Sequence, residues 1–152
     1  MFSEKSKTVL LILLSLSLLL AGSAYLLFLH GMFPRLVPGY GGGEGFTLGE
    51  ANNYSVQMPW SAYSRLHLSL QANDTVELYR DGDYVCDCVQ YELVLERGEY
   101  VLLMMKSDSP VKGRFTARQE IPLERQLYAL IILSAGLIGV ALSTRMRKKP
   151  TA

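Results

Sequence analysis

The sequence predicts an all-β antiparallel sandwich ectodomain flanked by two transmembrane α-helices. Three observations carry that expectation. Residues 8–29 and 127–144 form runs of twenty-two and eighteen residues without a charge. Between the runs, short segments alternate apolar and polar residues with period two. Leu66, Leu68 and Leu70 face one way while His67, Ser69 and Gln71 face the other, the mark of a half-buried strand. Outside the two runs no helical period of useful length appears.

A chain of 152 residues has room for about one domain, and its 49% hydrophobic content is high for a soluble one. At ~1.5 Å rise per residue the first run crosses a ~30 Å hydrocarbon core, and the second suffices if it stands nearly upright. Ala21-Gly22-Ser23-Ala24 offers the small residues of a signal-peptide cleavage site, but the apolar run continues through Tyr25, Leu26, Leu27, Phe28 and Leu29, so a retained span is expected. Lys5 and Lys7 precede the first span, and Arg145, Arg147, Lys148 and Lys149 follow the second. The positive-inside rule then places both tails, residues 1–7 and 145–152, in the cytoplasm and residues 30–126 outside a plasma or secretory-pathway membrane. That outer segment holds nine basic and thirteen acidic residues. It lacks the basic patch that nucleic acid would require.

Taken in order, residues 30–45 carry Pro34, Pro38 and the Gly41-Gly42-Gly43 cluster, and are expected to be a flexible linker with Phe33 and Tyr40 at headgroup level. The domain proper runs over residues 46–121. Strands are expected near 54–58, 65–71, 75–80, 84–95 with a break, 99–106 and 113–118. Turn chemistry separates them at Asn73-Asp74, Asp81-Gly82, Arg97-Gly98 and Asp108-Ser109-Pro110. A connector, residues 122–126, leads to the second span. Such a domain is near the lower size at which a hydrophobic core alone suffices.

Gly98-Glu99-Tyr100-Val101-Leu102, together with VELYRDG (residues 76–82) and SPVKGRF (residues 109–115), resembles the layout of Golgi-dynamics (GOLD) domains and of pre-peptidase C-terminal domains. The resemblance implies a β-sandwich.

The densest chemistry lies in DGDYVCDCVQ, residues 81–90. As a calcium loop, Asp81, Asp83, Asp87 and Glu92 fall at ligand positions, but Cys86 stands where the sharp bend needs glycine. Asp81-Gly82 is instead a strong type I′ hairpin signal. Cys86 and Cys88, the only cysteines, are a candidate disulfide or redox pair in an oxidising setting. Residues i and i+2 of a strand share a face at ~6.6–7 Å between Cα atoms, so a bridge requires a bulge or tight bend. Zinc held by both thiolates with His67 and Asp87 is the remaining reading, short of dedicated ligands.

No nucleophile elbow, phosphate loop or oriented histidine is present, so no enzyme and no cofactor are expected. Asn53 and Asn73 open glycosylation sequons. Trp60 and Tyr63 are a candidate binding surface. Ala135, Gly139 and Ser143 in the second span, and Ala21 with Ser17 and Ala24 in the first, offer small faces for helix packing, within the chain or in a homo-oligomer. The function expected is non-catalytic: a membrane protein whose domain binds another membrane or envelope protein, or a glycan. The alternative is a thiol-dependent redox or metal-handling protein using Cys86 and Cys88.

Overall fold

The computed structural model describes residues 4–40 and 45–148. Two compact units emerge, one holding both long helices and one spanning Phe33–Glu120.

Helix α1 covers Glu4–Gly31 and helix α2 covers Leu123–Lys148. At 28 and 26 residues both are long and apolar enough to cross a membrane. Several hydroxyls inside them bond to carbonyls of the preceding turn, Ser15 Oγ donating to Leu11 O at 2.7 Å and Ser134 Oγ to Leu130 O at 2.8 Å, which satisfies those donors within the helix. The helices pack antiparallel through small residues. A methyl group at Gly22 would lie 2.8 Å from Leu133 Cγ, one at Gly136 would lie 2.8 Å from Leu19 Cγ, and one at Gly139 would collide with Ser15 Oγ. Ser15, Gly22 and Leu29 on α1, and Ala129, Gly136 and Ser143 on α2, are buried at intervals of seven.

That period places only part of the expected packing face within the chain. Gly139 and Ser143 lie on it, but Ala135, Ala21, Ser17 and Ala24 are exposed. A row of residues strictly four apart drifts around a helix, whereas alternating steps of three and four hold one seam.

In the second unit, six strands build one antiparallel sheet. They are β1 (Gly45–Leu48), β2 (Tyr54–Gln57), β3 (Leu66–Arg80), β4 (Asp83–Leu95), β5 (Leu103–Lys106) and β6 (Val111–Gln119). The order is β1-β6-β3-β5-β2, with β4 along the other side of β3. β3 is the spine: it pairs with β4 along its length, and on its other side with β6 from Leu66 to Ala72 and with β5 from Glu77 to Arg80. β1 and β2 lie at the two ends of that path and are joined by a tight turn, Gly49 N donating to Asn52 O at 3.0 Å and Asn52 N to Gly49 O at 3.1 Å. The sheet thereby comes close to closing as a barrel, and two separate sheets are not formed.

The expected turn at Asn73-Asp74 is instead a bulge within β3, where the register with β4 shifts between Gln71 and Val76. Continuous pairing to β4 on either side overrides the local turn signal. Asn73 Oδ1 accepts from Lys112 N at 2.7 Å and ties the bulge to β6. Asp81-Gly82 is the two-residue hairpin expected, with φ of 54° and 96°. Leu66, Leu68, Leu70, Val76, Leu78, Leu103, Met105 and Phe115 join in one core inside the curl.

The expected linker differs most. Phe33–Arg35 forms a single 3-10 turn, Phe33 is 1% exposed, and Val37 belongs to the core. Tyr40 donates its hydroxyl to Phe115 O, Trp60 N donates to Pro38 O at 2.9 Å, and Gln119 Nε2 donates to Leu36 O. Phe33 and Tyr40 therefore anchor this segment on the sheet instead of facing outward, because three apolar side chains spaced three to four apart outweigh the freedom implied by its prolines. Gly41, Gly42 and Gly43 lie outside the described residues.

Candidate functional site

Strand β2 reverses the usual economy of a strand. Its half-buried side carries Ser55 and Gln57, while Tyr54, Val56 and Met58, followed in the same row by Trp60, are exposed. The neighbouring strand continues the pattern. Tyr54 pairs with Lys106, Val56 with Met104, and an isolated bridge sets Trp60 against Tyr100. Tyr100 is 70% exposed, and Leu102 beside it is exposed too.

The face widens across the sheet. Tyr79 on β3 lies opposite Met104, and Tyr84 on β4 lies opposite Tyr79, with ring centroids 5.7 Å apart at 73°. β2, β5, β3 and β4 thus contribute a contiguous apolar and aromatic surface. Its border is charged, since Lys106, Glu77 and Asp87 continue the row begun by Tyr54. Single exposed apolar residues are ordinary, but a contiguous face rimmed by polar groups marks an interaction surface.

Hydrogen bonds hold its aromatic rings in place. Trp60 Nε1 donates to Gly98 O at 3.4 Å, and the Tyr79 hydroxyl donates to Glu77 Oε2 at 2.9 Å. The bond to Glu77, and burial after it, raise the Tyr79 pKa; burial, followed by a hydrogen bond to Asp87, raises that of Tyr84. Both phenols remain neutral donors at physiological pH. Beyond the charged border, Thr75, Glu77, Asp87, Lys106 and residues 107–109 line a polar cleft of about 430 Å³.

Other residues singled out from the sequence fall elsewhere. Tyr63 is exposed, but its ring packs 6.4 Å from Phe33. Asn53 and Asn73 are exposed. Cys86 and Cys88 point inward from β4, opposite Leu78 and Val76, and pack half-buried against the core with sulfurs 2.7 Å apart. Asp87 between them lies on the opposite face, and His67 is exposed with Nε2 3.9 Å from Glu120. The zinc set is thereby divided between two faces, because alternate residues of a strand point apart. The calcium-loop residues are likewise spread over the turn and β4, with Asp81 Oδ1 accepting from Leu102 N at 2.9 Å. Among the described residues no three of His, Cys, Asp and Glu converge as a metal site.

The sequence singled out Trp60 but not Met58, Tyr79, Tyr84, Tyr100, Leu102 or Met104. The available signal was the continuation of the Tyr54-Val56-Met58 row through Pro59 to Trp60, which a core strand of this length would not need. No protein-family model matches this chain, and no curated protein does either.

Proposed function

We propose that this is a two-pass membrane protein, with both tails in the cytoplasm, whose exported β domain is a non-catalytic docking module for another protein of the same membrane. One observation carries the reading: the apolar face on which Val56, Trp60 and Tyr100 are exposed around the half-buried Met104 and Tyr79. Trp and Tyr give large contact area with few rotors and a polar tip, the side chains most favoured at binding hot spots. Two helices of spanning length and the basic residues beyond them support the topology. Only Met32 separates α1 from the 3-10 turn, and three residues separate β6 from α2, connections whose shortness favours a partner in the same membrane. Finer than its single curled sheet, we read the domain as sandwich-like, the β6–β1 portion packing across the core on the β5–β2 portion.

The test is site-specific photo-crosslinking in the native membrane, with benzoylphenylalanine at Met58 or Leu102 and, as controls, at His67 or Glu92. A discrete protein adduct at the first two positions and none at the controls is expected. Equal labelling at all four, or lipid adducts alone, would sink the docking reading. Protease treatment tests topology separately: residues 46–120 are cut in intact cells, whereas cutting only in inverted vesicles reverses the orientation.

A further inference from the structure

A strand places residues i and i+2 on one face but too far apart for an easy cross-link, so a Cys-X-Cys bridge needs the backbone to bend at that point. The β3–β4 ladder breaks register on each side of the Cys86-Asp87-Cys88 triplet, and between the breaks the two sulfurs already lie 2.7 Å apart. Cys86 pairs with Leu78 and Cys88 with Val76, but the next pair in one direction is Tyr84 with Tyr79, which leaves Val85 as an extra residue. In the other direction the next pair is Gln90 with Gln71, which leaves Val89 opposite the β3 bulge. Between these irregularities both thiols turn to the same side with their sulfurs in contact. The chain has no other cysteine. Both are half-buried and so remain within reach of solution reagents.

We infer that Cys86 and Cys88 close an exchangeable intrachain disulfide on β4, formed by thiol–disulfide exchange with an external disulfide. The thiolate of one cysteine attacks a sulfur of that disulfide, giving a mixed disulfide and releasing one thiol. The second cysteine, as its thiolate, then attacks the mixed disulfide, closing the Cys86–Cys88 bond and releasing the second thiol. Two protein thiols are thereby oxidised as one external disulfide is reduced to two thiols, and the two protons pass to solvent and the released thiolates. Burial first, then the neighbouring Cys86 thiol, push the Cys88 pKa up to about 12. The ring closes only three residues, so it constrains the unfolded chain far less than a long-range bridge would. Its value lies in being made and broken rather than in stapling the fold. The inference rests on the exported placement proposed above, where external disulfides are available.

The experiment uses the full-length protein in its native membrane. Thiols are blocked with N-ethylmaleimide under acid quench, disulfides are reduced, and the newly released thiols are labelled with a deuterated maleimide. Cleavage after Arg80 and Arg97 yields one peptide holding both cysteines. The bridge predicts two deuterated labels on that peptide and, in a glutathione series, loss of both together with no singly labelled species accumulating. Two light labels before reduction overturn the inference, as does a peptide joined to glutathione or to a second chain. Placement is read independently by relabelling the reduced protein in intact cells with a membrane-impermeant maleimide. Light labels with impermeant access overturn the bridge and leave the topology standing. Deuterated labels without impermeant access overturn the topology and leave the bridge.

Discussion

Trp60 stands directly across an isolated β-bridge from Tyr100, and both rings are turned to solvent. Neither belongs to the core, so their place on the surface is accounted for by what they meet there. Trp60→Ala and Tyr100→Ala are expected to change the stability of the domain by no more than about 0.5 kcal/mol. Each should lower the photo-adduct yield at position 58 by about tenfold or more, as loss of an interface anchor does. Thermal melts followed by circular dichroism and quantified cross-linking decide the two halves separately, and a fall in melting temperature with unchanged adduct would reassign the pair to folding.

Core and surface positions on one strand separate cleanly. Leu68 is 2% exposed between His67 and Ser69, and Leu68→Ala should cost about 2–5 kcal/mol through lost burial and the cavity left behind. His67→Ala, one residue away on the other face, should stay within about 0.5 kcal/mol. Urea titration of the two variants checks the contrast; comparable losses would show that β3 is not in the register described.

Close approach in the helical hairpin depends on hydrogen at a Cα position. Gly136→Leu should destabilise the packed hairpin by about 1–3 kcal/mol, since even a methyl group there meets Leu19. Gly31→Ala, where nothing lies within 4 Å, is the matched control and should be silent. Thermal unfolding of the full chain in detergent micelles distinguishes them, and a silent Gly136→Leu would mean that the helices do not meet along this seam.

Alkaline pH should destabilise the domain in a definable window. Tyr79 and Tyr84 have pKa values raised above 10.0, and Cys88, when reduced, is raised from 9.0 to about 12. A raised pKa means that the folded state favours the protonated form, so this stabilisation is complete below the unfolded values and is lost as pH climbs through the folded ones. Melting temperature should be flat from pH 7 to about 9 and fall steadily above it. In Cys88→Ala the decline between pH 9 and 10 should be shallower, and an identical profile would remove Cys88 from the account.

How much of this was legible in the sequence depends on which force decided each element. The helices and the Asp81-Gly82 hairpin were legible because local chemistry alone determines them, uncharged runs of twenty-two and eighteen residues in one case and two positive φ values in the other. Leu66, Leu68 and Leu70 were legible because their alternation points to the core. The Asn73-Asp74 bulge was not, since a turn signal and a bulge signal use the same residues and only the partner strand chooses between them. Phe33, Val37 and Tyr40 were hidden by the prolines and glycines around them. The apolar face was the least visible of all. Period two in Tyr54, Val56 and Met58 fits a core-facing strand equally well, and the choice of face is made by Ser55 and Gln57 turning inward, a matter of tertiary register.

The central position of β3 also sets the order in which the chain can acquire its shape. β3 and β4 are neighbours in sequence and can zip together through a two-residue turn within microseconds. β1 and β2 emerge earlier yet find their ladders only on β6 and β5, more than sixty and about fifty residues further along. During synthesis from the N-terminus they must wait, unpaired, while the hairpin behind them is already formed. Completion of the sheet therefore waits for the segment just before α2, and no shorter length of the growing chain can close the domain.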